Sequence, residues 1–154
     1  MTSFEVLDAI ADAYNPTQGI IWLCTLASAG IARAWRVLAY RTAFVILGLV
    51  AIRALEIADY TTQAFAAVGL DFSSHTAIAA LMAIYLVALY PRYWLLWSGS
   101  LAAYVALMRY QGYHTMLDVV ATLVVAGSLI GMMAPWFWRR IRLPRGEIAA
   151  GFGR

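Results

Sequence analysis

Along the chain, long apolar runs without charge alternate with short polar clusters. Charge is absent from 13–32, 72–91, 93–108 and 119–138, and a further apolar stretch, 37–55, is interrupted by Arg41 and Arg53. A membrane-crossing helix needs about 20 predominantly apolar residues, with about 17 as the lower limit. The pattern therefore predicts an all-α integral membrane protein. Its fold is a bundle of five transmembrane helices at about 17–34, 37–56, 74–91, 93–109 and 115–137. The segment "EIADYTTQAFAAVGL" (56–70) is expected to be a connecting or interfacial helix or loop. Residues 1–154 read as a single membrane domain whose last part, 139–154, is a basic tail; no repeat or low-complexity linker divides it.

Composition agrees with this pattern. The chain is 64% hydrophobic and 12% charged, with a mean hydropathy of +0.75. A soluble domain carries about 25% charged residues, so too little charge is present here to cover a water-facing surface. Cys24 is the single cysteine, which excludes an internal disulfide. The N-terminal stretch "MTSFEVLDAIADAYNPTQG" is acidic and lacks a basic n-region, so it is not expected to be a cleaved signal peptide. Its apolar residues Phe4, Val6, Leu7 and Ile10, interleaved with acids, suit a segment lying along the interface.

Charge placement gives an orientation. All 11 basic residues are Arg. With five spans, Arg33, Arg36, Arg41, Arg92 and the five arginines of the tail fall on one side, leaving only Arg53 and Arg109 on the other. The sparsely basic side also holds Glu5, Asp8, Asp12, Glu56, Asp59, Asp71 and Asp118. The positive-inside rule puts the Arg-rich side in the cytoplasm. The N-terminus is then outside, the C-terminus cytoplasmic, and the protein a multi-pass protein of the inner (plasma) membrane. The net charge of +3 and pI near 9.2 reflect this arrangement and do not call for nucleic acid. Membrane lipids are the expected surroundings, and no signal of oligomeric state is present.

The same alternation gathers chemistry on the outer face: Arg53, Asp71, His75, Arg109, His114 and Asp118. Arg41 and Arg53 are separated by roughly 18 Å along a helix, within a hydrocarbon core of about 30 Å. At least one lies below the interface, where an ionisable residue is a functional candidate by default. Two constellations stand out. Ser73-Ser74-His75-Thr76 opens the third span, where hydroxyls cap free N–H groups and the helix N-terminus favours an anion. His75 there is placed to protonate an atom bonded to that anion; a capped helix with an interfacial His is the plainer alternative. "RYQGYHTMLD" (109–118) places His114 and Asp118 four apart at the opening of the fifth span, so they share a helix face and can touch. A carboxylate on one imidazole nitrogen fixes the tautomer and raises the basicity of the other; an interfacial ion pair without function is the alternative. These two stretches contain both histidines of the chain, at one membrane depth.

"GLDFSSHT", followed by "RYQGYHTMLDV", resembles the type 2 phosphatidic acid phosphatase superfamily, which includes lipid phosphate phosphatases and sphingomyelin synthases. The family motifs are S-G-H and S-R-x5-H-x3-D, and the likeness covers roughly 50–137. Ser74 stands where the family has Gly, and Arg109 lies one residue closer to the His than the motif asks. The first motif, K-x6-R-P, is absent, with Arg53 the only basic candidate, and the usual sixth helix is missing.

The resemblance implies a membrane lipid phosphate phosphatase that works through a phosphohistidine, without metal or cofactor, on a lipid-linked phosphate at the outer leaflet. His114 would be the nucleophile, Asp118 its partner, and His75 the acid and base. Arg109, Arg53, Ser73, Ser74 and Thr76 would bind phosphate, and Asp71 would orient an Arg or the helix entry. An alcohol acceptor in place of water makes the enzyme a phosphotransferase. Readings of other classes are a haem-binding protein with the two histidines as axial ligands, and a proton relay through His, Asp and Arg.

Overall fold

The computed structural model describes residues 2–142; residues 143–154 of the basic tail lie outside them. Five helices carry the fold: α1 (Ser3–Ile31), α2 (Trp35–Thr62), α3 (Ser74–Leu89), α4 (Trp94–Tyr110) and α5 (Met116–Trp138). Two short 3₁₀ turns, Ala66–Val68 and Pro91–Tyr93, sit in the connections. By length and composition α2 and α5 are apolar enough to cross a membrane, and α3 is a shorter apolar helix.

Helices α3, α4 and α5 fall within two residues of the expected spans, whereas α1 and α2 are longer. Instead of starting near 17, α1 starts at Ser3, because Thr2 and Glu5 form a reciprocal capping box. It then runs on through Pro16. At about 1.5 Å per residue α1 is about 44 Å long, more than a bilayer core requires. Its N-terminal half packs on α4, where the Tyr14 and Tyr104 rings stack at 4.2 Å. Helix α2 continues to Thr62, where Gln63 in the left-handed conformation (φ 54°) ends it, so much of the expected 56–70 connection is helix.

At the centre lies α3, in contact with each of the other four helices. Ala77, Ala79, Ala80, Ala83 and Ala88 are all buried, and such small side chains allow close helix approach. Against it, α2 presents Gly48, where an added Cβ would lie 2.4 Å from Leu81 Cδ1. The main core joins Phe44 and Ile52 of α2, Leu81, Tyr85 and Leu86 of α3, and Ile130 and Phe137 of α5. A smaller cluster joins Ala11, Ala79, Tyr104 and Met108.

Arg41 resolves one expectation. It is buried in the bundle and donates to the Thr25 carbonyl, to Ser28 Oγ at 3.0 Å and to the Ile141 carbonyl at 2.8 Å. It ties α1, α2 and the chain after α5 together. Its burial therefore has a structural use.

Candidate active site

A cleft of about 440 Å³ lies between α1, α3, α4 and the α4–α5 turn, and both histidines line it. His75 enters from the first turn of α3 and His114 from the turn before α5; Asp12, Asn15, Tyr104 and Tyr113 complete its polar lining. Three local devices put these groups in place.

The first is the start of α3. Ser73 is the N-cap; its hydroxyl accepts from the Thr76 N–H at 3.4 Å and pairs with the Thr76 hydroxyl at 2.8 Å. Ser73 N–H donates to Thr122 Oγ1 at 3.0 Å. Ser73 and Thr76 are buried and occupied with each other and α5, so they build the turn that carries His75 rather than line the cleft. Ser74, between Ser73 and His75, is half-buried.

The second is the α4–α5 turn. Gly112 takes φ +77°, and the Gly112 and Tyr113 N–H groups return to the Arg109 and Met108 carbonyls, both at 3.2 Å. This is the glycine-dependent Schellman end of a helix. It leaves His114 outside α5, which begins at Met116. The helical four-residue spacing therefore does not apply to His114 and Asp118, and the expected pairing is replaced by another arrangement. Asp118 is the third residue of a capping box with Thr115: its Oδ2 accepts from the Thr115 N–H at 2.8 Å and the Thr115 hydroxyl at 2.7 Å. Its Oδ1 accepts from the Asp71 N–H at 2.8 Å. The carboxylate that faces His114 is Asp71, with Oδ2 3.5 Å from His114 Nδ1.

The third is the N-terminal half of α1, whose part in the site motif reasoning missed. Asp8 accepts from Gln111 Nε2 at 3.3 Å and from the Tyr113 hydroxyl, which anchors α1 to the α4–α5 turn. That acceptor raises the Tyr113 phenol above its ordinary pKa, so it stays a donor at neutral pH. Asn15 Nδ2 donates to the His75 carbonyl at 3.3 Å, and Tyr14 bonds Ser100 at 3.2 Å. The signal was present in the spacing of Asp8, Ala11, Asp12 and Asn15, which places all four along one face of a helix.

None of the described arginines lines the cleft. Arg53 is exposed on α2 and ion-pairs with Glu56. Arg109 lines a different groove, with Val105, Met116 and Leu123 between α4 and α5. The reason is angular: adjacent helical residues point about 100° apart, and it is Met108, six before His114, that lines the cleft. The position from which the family motif's arginine would reach the histidine is apolar here. Around the two histidines the charged neighbours are acidic, Asp12 in the cleft wall and Asp71 beside His114. Among the described residues no group of three or more His, Cys, Asp or Glu side chains is arranged to hold a metal ion.

Compared with known proteins, the chain matches no family model, no curated protein and no solved structure.

Proposed function

We propose that the chain is an integral membrane enzyme that transfers the phosphoryl group of a lipid-linked phosphate through His114. The observation that carries this reading is that His75 and His114, far apart in sequence, line one cleft. The short motifs around them, similar to those of the type 2 phosphatidic acid phosphatases, point to the same chemistry.

In the first step a lone pair of His114 forms an N–P bond as the P–O bond to the lipid breaks, and His75 gives its proton to the departing oxygen. In the second, neutral His75 takes a proton from water as that water's oxygen bonds to phosphorus. The N–P bond then breaks and His114 is restored. An alcohol in place of water turns the same two steps into transfer. Charge on the phosphoryl oxygens is met by protonated His75, the Ser74 hydroxyl and the first-turn N–H groups of α3. Arg109, in the α4–α5 groove, and Arg53, paired with Glu56 on α2, stand outside this set.

The enzyme reading comes with a topology: five spans in the plasma membrane, the N-terminus and the cleft on the outer face, and the Arg-rich end in the cytoplasm. Exposed apolar side chains on the outer faces of α2 and α5, among them Ile46, Val50, Val124 and Met132, suit contact with lipid. In a Cys24→Ser background, a cysteine replacing the exposed Tyr110 should react with an impermeant thiol reagent added to intact cells. Labelling only after lysis would overturn the topology.

Substrate class is tested by presenting the purified protein with phosphatidate, phosphatidylglycerophosphate, an isoprenoid diphosphate and a glycolipid phosphate. Phosphate release that vanadate inhibits and EDTA leaves intact is expected with at least one. No release from any of them, or activity that EDTA abolishes, would contradict the proposal.

A further inference from the structure

His114 Nδ1 is enclosed and makes no hydrogen bond among the described residues, yet a carboxylate oxygen of Asp71 lies 3.5 Å from it. Asp118, the carboxylate that sequence spacing offers, has both oxygens engaged: one on the Asp71 N–H, the other on the backbone and hydroxyl of Thr115. The Asp71 side chain, by contrast, is 74% exposed and has an oxygen already 3.5 Å from the imidazole. We infer that Asp71 is the positioning residue of His114. Its carboxylate accepts the Nδ1 proton and so leaves Nε2 with the lone pair, while Asp118 acts at one remove by holding the Asp71 backbone.

The two carboxylates thus divide one task. Asp118 fixes where the Asp71 loop meets α5, through a bond to a backbone N–H that any residue at 71 would keep. Asp71 sets the tautomer, through a side chain that carries no other hydrogen bond among the described residues. A neutral imidazole in water prefers the proton on Nε2, which would make Nδ1 the basic atom. Here Nδ1 is turned to Asp71 and closed off, so the preference has to be reversed for the histidine to be a nucleophile toward the cleft. Other ionisable groups near His114 are His75 on α3, Asp12 on α1, Tyr113 beside it and Asp118 on α5. Among the described residues it is Asp71 whose carboxylate lies within 4 Å of a His114 ring nitrogen in an ion pair.

The consequence for catalysis rests on the phosphoryl-transfer reading, but the tautomer itself does not. It is measured in the resting protein by ¹⁵N NMR of labelled histidine, in a His75→Gln background that leaves His114 as the single histidine. The parent should show the Nδ1–H form of the neutral ring. Asp71→Ala, which retains the backbone bond to Asp118, should revert to the Nε2–H form, and Asp71→Glu should restore Nδ1–H. An unchanged tautomer in Asp71→Ala, or an Nε2–H form already in the parent, would overturn the assignment whatever the enzyme's substrate. In the otherwise native chain, Asp71→Ala should lower kcat about 10- to 100-fold with KM within about twofold. Activity absent from the native chain with the tautomer shift intact would count against the phosphatase reading and leave the Asp71 assignment standing.

Discussion

His114→Ala is expected to lower turnover of the accepted lipid phosphate by about 10³-fold or more, because without the imidazole no N–P bond can form. The fold should survive, since the His114 ring has no hydrogen bond to lose among the described residues. His75→Gln should behave differently. As the proton donor, His75 contributes about 10²- to 10⁴-fold to the phosphorylation step with a poor leaving group and little to that step with one that departs unaided. The split between the two variants in the first turnover, read with a lipid monoester and an aryl phosphate, separates nucleophile from acid. Equal first-turnover losses on both substrates for both variants would mean that the histidines merely support the cleft.

Asp118→Ala is expected to cost about 1–3 kcal/mol of stability, measured as loss of helicity on heating or denaturant titration in detergent. Asp118 is buried and accepts from the Asp71 N–H, the Thr115 N–H and the Thr115 hydroxyl. Removing the carboxylate leaves the Asp71 and Thr115 N–H groups without their acceptor at the start of α5. Asp118→Asn should recover only part of the loss, because its amide keeps one accepting oxygen and turns an NH₂ toward a donor. Asp71→Ala should leave stability almost unchanged. If Asp118→Ala proves as stable as the parent but inactive, Asp118 acts on His114 directly and the division of labour drawn above is wrong.

The difference between these two aspartates also marks how far the sequence could be read. Periodicity and charge located α3, α4 and α5 closely, because uncharged apolar runs bounded by Arg, Pro or Ser leave little freedom in where a helix ends. They started the first helix at about 17, whereas α1 begins at Ser3 and runs through Pro16. Proline's lost N–H is tolerated there, and the acids have partners: Glu5 in the cap and Asp8 on the α4–α5 turn. The two histidines were legible because the chain has no others and both fall beside the expected start of an apolar helix. Their surroundings were not. Whether Met108 or Arg109 faces the cleft turns on about 100° of helix rotation, which motif spacing does not resolve. Ser73 and Thr76 were recognised as a helix start, but only packing shows that their hydroxyls pair with each other while the Ser73 N–H donates to Thr122. The pairing of His114 depended on a helix boundary two residues away, the least secure feature of any sequence reading.

The central claim is that both histidines act on one phosphoryl group. The most direct test uses His75→Gln with an aryl phosphate whose leaving group departs without acid. His114 should take the phosphoryl group, but water activation should stall without His75. The account predicts a burst of one phenolate per protein, followed by near arrest, with acid-labile phosphate on His114. No burst and no labelled protein, or a label that persists in the His75→Gln/His114→Ala double variant, would contradict it.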